Sequence, residues 1–215
     1  MNNKKIKKVI IKDLGIKDWK QTYSLMKKFV SKNNKYKSDE IWFLEHYPVF
    51  TSGKNFFNKK KYYITKKIKF YNSNRGGGIT YHGPGQQIVY FLINLKKIKN
   101  HIFFLINMIK KVVIKTLKCF CIESYYDKDN PGIYVKKKKI CSIGLCIKNG
   151  YSMHGFSLNV NMDLFPFKLI IPCNNSKIKM TQIKELNKKI SIKEVKKILK
   201  YKIKLFFKKN FFINY

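Results

Sequence analysis

The chain has 215 residues, 45% of them apolar and 15% aromatic, with 47 Lys plus Arg against 11 Asp plus Glu and a formal net charge of +36. That apolar content excludes a disordered chain despite the charge, and the length suits one core, so residues 1–215 read as a single domain. The lysines are spread along the whole chain and arginine occurs once, at Arg75, so the charge lacks the arginine-rich pattern of a nucleic-acid reader and reads as compositional drift reinforced by acidic partners.

Met1 to Leu14 holds no apolar stretch ending in a small-residue cleavage site, and the run His101 to Ile109 is too short to span a bilayer. The sequence therefore predicts a cytoplasmic protein with no membrane segment. Lys8 to Lys12 reads as a first strand, and Asp18 with Gln21 three residues on resembles a capping box opening a helix to about Ser31. Ile41 to Glu45 is a buried strand ended by His46-Tyr47-Pro48, and Thr51-Ser52-Gly53-Lys54 marks a loop. Asn58 to Lys66 reads as a surface loop, Lys69 to Asn72 as a strand, and Gln87 to Asn94 as a strongly apolar strand. Ile102 to Cys119 has apolar residues at helical spacing over a lysine face.

Four short strands follow, Ile122 to Tyr126, Gly132 to Val135, Ile140 to Ile147 and Tyr151 to Asn161. The last two connections, at Lys136 to Lys138 and at Asn149-Gly150, carry hairpin signals. After an irregular stretch containing Pro166 and Pro172, Ser191 with Glu194 forms a second capping box before an amphipathic helix to about Phe211. This order predicts an α+β fold, a mixed and largely antiparallel sheet flanked by helices.

Five glycines, a proline, a histidine and the lone arginine gather between Arg75 and Gln86, in a chain that contains no alanine and is otherwise filled by Lys, Ile, Asn, Phe and Tyr. Gly76 to Gly78 let the backbone approach a ligand with its N–H groups free to meet an oxygen. The segment matches neither G-x-x-x-x-G-K-[ST] nor G-x-G-x-x-G, and the lesser alternative on glycine content alone is a tight hairpin with Arg75 as a surface cation. His82 and His154 each precede a glycine beside apolar strands, a setting for pocket or structural roles more than for metal.

The cysteines Cys119, Cys121, Cys141, Cys146 and Cys173 show no C-x-x-C pair and no zinc spacing, so free thiols are expected and no metal site. Cys173 stands apart, in the turn-rich Ile170-Ile171-Pro172-Cys173-Asn174-Asn175, where a thiol reads either as a nucleophile at a loop tip or as a small buried hydrophobe. Lys139 ends the run of four lysines and begins a strand, in which alternation sets it on one face with Cys141, Ile143 and Leu145. Turned inward, such a lysine could act as a base; left in the turn, it would be solvated.

Together these segments resemble the lipoyl(octanoyl) transferase family. The resemblance covers about Ile41 to Ile183 and is carried by Ile41-Trp42-Phe43-Leu44-Glu45-His46-Tyr47-Pro48, Arg75 through Gln86, Asn130-Pro131-Gly132-Ile133-Tyr134-Val135, Lys139-Ile140-Cys141-Ser142-Ile143-Gly144, Met153-His154-Gly155-Phe156-Ser157 and Pro172-Cys173, in the family's order. It implies the fold of the lipoate and biotin protein ligase catalytic domains and a reaction needing no cofactor. In that reaction an octanoyl chain moves from octanoyl-acyl carrier protein to one lysine of a lipoyl domain of the 2-oxoacid dehydrogenase complexes or of the glycine cleavage H protein. By resemblance Cys173 is the acyl-thioester cysteine and Lys139 its activating lysine. The acyl substrate would lie along Arg75, Gly76, Gly77, Gly78, Ile79, Thr80, Tyr81 and His82, along Ser142, Ile143 and Gly144, and along Gly155, Phe156 and Ser157, with Ile79, Tyr81, Ile143 and Phe156 as apolar walls. The family has glycine after the cysteine where Asn174 stands here, and asparagine tolerates positive φ better than most residues. Two other readings stay open on the sequence: an ATP-dependent lipoate ligase on the same fold, and a basic RNA-binding or scaffold protein without catalysis.

Overall fold

In the computed structural model, which describes residues 9–31, 38–56, 67–97, 101–172 and 175–211, the first half runs strand, helix, five strands and a second helix, and the second half builds hairpins before its closing helices. The elements are β1 Val9–Lys17, α1 Trp19–Ser31, β2 Asp39–His46, β3 Val49–Ser52, β4 Lys69–Asn72, β5 Thr80–His82, β6 Gln86–Leu92 and α2 His101–Lys118. Then come β7 Tyr125–Asp127, β8 Gly132–Val135, β9 Lys138–Lys148, β10 Tyr151–Asn159, the short α3 Ile183–Leu186 and α4 Ile192–Phe211.

Seven strands form one sheet in the order β1-β2-β6-β10-β9-β8-β7, in which β1 and β2 pair in parallel and the other neighbours are antiparallel. The predicted mixed, largely antiparallel sheet is thus the observed one. Helices α2 and α4 cover one face over Phe43, Val89, Phe91, Phe156 and Leu158, and α1 covers the other over Trp42, Leu44, Ile88, Tyr90 and Met153. On α4 the buried residues Val195, Leu199, Ile203 and Phe207 recur every four positions, each contributing about 1.5–3 kcal/mol of transfer free energy.

The Ser191 capping box forms in full, and at Asp18 the half in which the carboxylate caps the helix forms. Asp18 accepts a hydrogen bond from the Gln21 N–H at 2.9 Å, and Glu194 accepts from the Ser191 N–H at 2.8 Å while the Glu194 N–H donates to the Ser191 hydroxyl at 3.3 Å. Both hairpin turns form too, with positive φ at Lys136 and Lys137 and at Asn149 and Gly150, as two-residue turns of the favoured hand require.

The sequence reading lacked a second sheet, β4-β3-β5. Thr51 and Ser52, expected in a loop, end β3, which pairs with β4 in parallel and β5 in antiparallel register. All four β3 residues are buried, so pairing on both edges outweighs the turn-forming tendency of Thr-Ser-Gly. The strand expected over Ile122 to Tyr126 shortens to Tyr125–Asp127, because residues 119–121 continue the end of α2 as turns and the Ile122 N–H is tied back to Leu117 O at 3.1 Å. The loop expected over Asn58 to Lys66 lies outside the described residues. Between the small sheet and the 3₁₀ turn Phe165–Leu169 lies a third core of Phe50, Ile79, Tyr81, Met162, Phe167 and Ile170.

Candidate active site

The glycine run is the seam between the two sheets. Gly53 N–H donates to Gly78 O at 3.0 Å, Lys54 N–H to Arg75 O at 2.9 Å, and Asn55 N–H to Gly77 O at 3.2 Å, while Gly76 N–H reaches across to Leu145 O on β9 at 3.0 Å. Gly77 takes φ +84°, open to glycine at little cost. Arg75 braces this seam: Nη2 donates to Thr51 O at 2.8 Å and Thr51 Oγ1 at 3.0 Å, and Nη1 to Gly76 O at 3.1 Å.

Strand alternation in β5 then decides which predicted residues meet the space under the seam. Thr80 and His82 line a cavity of about 470 Å³, with Arg75 to Gly78, Ser142 to Gly144, Gly155 to Ser157 and Lys139. Ile79 and Tyr81 do not line it. They point to the opposite side, into the third core, at 0% and 3% exposure. Cys173 and Asn174 lie outside the described residues.

Lys139 is fully buried, at 0% exposure. A β-bulge sets it there: Ile133 pairs with Cys141 but Tyr134 with Lys139, leaving Ile140 as the extra residue on β9. The extra residue shifts Lys139 out of phase with Cys141, so the face expected from simple alternation is corrected. The lysine shares a face with Gly132 and Tyr134, its stem crossing the space a Gly132 side chain would fill and its Nζ 5.6 Å from the Tyr134 ring. Its backbone is pinned as well, N–H to Lys179 O at 2.8 Å and C=O from the Thr181 N–H at 2.9 Å. Buried Cys141 has its thiol pushed far up by desolvation, which marks it as packing.

Three histidines stand at the other end of the cavity or just beneath it, each held in one neutral tautomer. His46 donates from Nδ1 to Lys17 O at 2.8 Å and so accepts at Nε2 from the Tyr90 hydroxyl at 2.8 Å. His82 donates from Nδ1 to Gln86 Oε1 at 2.7 Å, which leaves Nε2 facing Thr51 Oγ1 at 3.4 Å. His154 donates from Nε2 to Asn74 Oδ1 at 2.7 Å. Desolvation, joined by the neighbouring imidazoles and the Arg75 guanidinium, holds His82 and His154 down to about 3; burial alone dominates at His46, lowered to about 4. His154 has φ +62°, which turns its ring onto Tyr23 and Tyr90 on the α1 face, beside Met153. Trp19 and Tyr90 also line the cavity, the indole hydrogen-bonded to the Tyr90 hydroxyl. Neither carries a functional signal in the sequence, since a tryptophan opening an amphipathic helix and a tyrosine in an apolar strand both read as core.

The cavity is thus a mainly apolar space whose lining includes the Lys139 amine and the neutral rings of His82 and His154, a composition suited to a ligand with an apolar body and a polar end. Similarity to known proteins agrees with that chemistry. Residues 18–204 match the family model for the lipoyl protein ligase A/B catalytic domain. An octanoyltransferase of Buchnera aphidicola subsp. Acyrthosiphon pisum (strain APS) is 48% identical over 195 residues, 91% of this chain and 92% of the relative. An octanoyltransferase of Wigglesworthia glossinidia brevipalpis is 46% identical over 210 residues, 97% of this chain and 96% of the relative. Among solved structures, lipoate-protein ligase A bound with ATP superposes with a TM-score of 0.76 at 15% identity, over 98% of this chain and 87% of that one, and a biotin protein ligase from Aquifex aeolicus with 0.54 at 16% identity, over 95% and 70%; both show the shared fold. With that identity sustained over nearly its whole length, the chain belongs to the octanoyltransferase family, acyl-transferring enzymes built on the lipoyl protein ligase A/B catalytic domain.

Proposed function

We propose that the protein moves an octanoyl group from octanoyl-acyl carrier protein to the target lysine of a lipoyl domain, in the cytoplasm, by way of a thioester on Cys173. The observation that carries this reading is the fully buried amine of Lys139 on the wall of the cavity, in a chain of the octanoyltransferase family. Lys139 takes the thiol proton of Cys173, and the ammonium so formed holds the thiolate. The thiolate adds to the octanoyl carbonyl; the tetrahedral intermediate collapses, expelling the carrier's thiolate, which recovers the proton from Lys139.

One thioester has replaced another, so this half is close to isoenergetic and calls for no ATP. In the second half the acceptor's lysine amine attacks the acyl-enzyme carbonyl, Lys139 removes a proton from the incoming nitrogen, and the Cys173 thiolate leaves and is reprotonated. An amide has replaced a thioester, which drives the cycle forward. Backbone N–H groups of the glycine-rich turns are suited to the oxyanion of each intermediate. Ile88, Ile143 and Phe156 would receive the tail, at about 0.8 kcal/mol per buried methylene.

The test is intact-mass spectrometry after incubation with octanoyl-acyl carrier protein in ATP-free buffer. The expected result is one octanoyl adduct, labile to hydroxylamine, that disappears in Cys173→Ser. No adduct, or a thioester that persists in the variant, overturns the nucleophile assignment. A requirement for ATP would move the reading to a ligase.

A further inference from the structure

A second depression of about 860 Å³ is lined by Lys138 and by Lys179 and Met180, which pair with the Lys139 backbone, and shares no lining residue with the acyl cavity. One wall is the stretch 162–172 and the other 176–185, so Pro172 and Ser176 bracket Cys173 in sequence. The second wall is tied to the candidate base itself, because Lys179 O and Thr181 N–H bond the Lys139 backbone at 2.8 and 2.9 Å. Its floor is apolar, with Met162, Phe167, Ile170 and Met180, and Phe165 stands 58% exposed on the rim.

The charges of this groove are arranged asymmetrically. Its two carboxylates are occupied within the fold: Asp163 accepts from the Phe165 N–H at 2.8 Å and Glu185 from the Thr181 hydroxyl at 2.8 Å. Its three lysines, Lys138, Lys168 and Lys179, are solvent-facing and form no ion pair among the described residues. An apolar floor rimmed by unpaired cations fits a partner that presents a small apolar turn among acidic side chains.

We infer that this groove is the docking site of the acceptor, an acidic lipoyl domain seated with its lysine-bearing turn against Phe165 and Met180. The inference rests on the proposed acyl transfer for the identity of the partner. Reach separates acceptor from donor: the acceptor's nucleophile sits on a four-carbon stem, so its turn must come within one lysine side chain of Lys139. A carrier protein delivers its acyl group on a long flexible arm and needs no groove at that distance. Docking here also presses on the segment 179–181 that pins Lys139, so the acceptor and the base share one wall.

The experiment measures binding and chemistry separately, with Lys138→Glu/Lys168→Glu as the groove variant and Lys20→Glu/Lys28→Glu on α1 as a control of equal charge change. All four lysines are exposed, so folding is checked simply by thermal melts. Titration of an isolated lipoyl domain into the resting enzyme at low salt should show Kd raised tenfold or more by the groove pair and less than threefold by the control pair. Acyl-enzyme formation from octanoyl-acyl carrier protein should stay within twofold in both, and an acidic-to-lysine change on the domain should restore binding to the groove variant. Equal loss in both pairs, unchanged Kd, or slowed acylation in the groove pair overturns the inference. If the wild-type enzyme forms no acyl adduct, the proposed reaction fails on its own evidence, while the titration still decides whether the groove binds the domain.

Discussion

Lys139 and Gly132 compete for one space: the lysine stem lies across the position that a Cβ at residue 132 would take. The two residues are on neighbouring strands, and the bulge at Ile140 slides Lys139 into the place left empty by the glycine. Gly132→Ala should therefore displace the lysine while leaving its chemistry present. The expected result is a fall in kcat of tenfold or more with a stability loss of about 1–3 kcal/mol, the usual cost of overpacking. Steady-state kinetics beside urea unfolding checks it, and wild-type kcat in a folded Gly132→Ala enzyme would remove the steric argument.

Lys139→Met keeps much of the stem's length and removes the amine, so it separates chemistry from packing. Loss of a general base costs about 10²- to 10⁴-fold. Both half-reactions should slow by that order, acylation followed by quench and mass spectrometry and transfer followed from preformed acyl-enzyme. Slowing of the second half alone would mean that Cys173 is activated by another group.

Much of the local structure around the cavity is legible in the chain, and the features that are not legible share one cause. The glycine run, the capping boxes at Asp18 and Ser191 and the turn at Asn149-Gly150 are local, so residue chemistry alone specifies them. Facing is not local. Ile79-Thr80-Tyr81-His82 shows alternation in the sequence, but only the pairing of β5 with β3 decides that Thr80 and His82 meet the cavity while Ile79 and Tyr81 meet Phe50 and Phe167. The face of Lys139 was hidden for the same reason, since a bulge is a property of two strands in register. Likewise β3 shows no strand pattern of its own and is held by neighbours on both edges.

The histidines make stability depend on pH in a defined direction. His46, His82 and His154 are neutral in the folded protein down to about 4, 3 and 3, whereas an unfolded chain protonates histidine below about 6.5. Below that pH the unfolded state binds protons that the folded state refuses, so stability is fully present above about pH 6.5 and falls on acidification toward the folded values. Each histidine contributes a slope of about 1.4 kcal/mol per pH unit, so three should remove about 4 kcal/mol at pH 5.5. Asp13, whose carboxyl is lowered by Lys200 and Lys196 against an opposing desolvation, adds loss in the same direction at lower pH. Urea unfolding at pH 7.5 and 5.5 measures the difference, and His46→Gln should reduce it by about a third. A flat profile between those pH values would show that the imidazoles are not held neutral.

Arg75, the single guanidinium of the chain, shapes the cavity wall through the backbone it holds. Its two terminal nitrogens reach Thr51 on β3 and the carbonyl of Gly76, a fork that one ammonium cannot reproduce. Hydrogen bonds from a charged donor contribute about 1.5–3 kcal/mol each way of counting, and Arg75→Lys keeps the charge while losing at least one of them. The seam between the sheets should loosen by an amount of that order, lowering Tm, and the octanoyl donor should show a raised KM with a smaller change in kcat, because the loop lines the cavity without supplying the base. The opposite pattern, full stability with kcat reduced at constant KM, would assign the guanidinium to the transition state. Unchanged kinetics and unchanged Tm would leave the only arginine of the chain without a role in either.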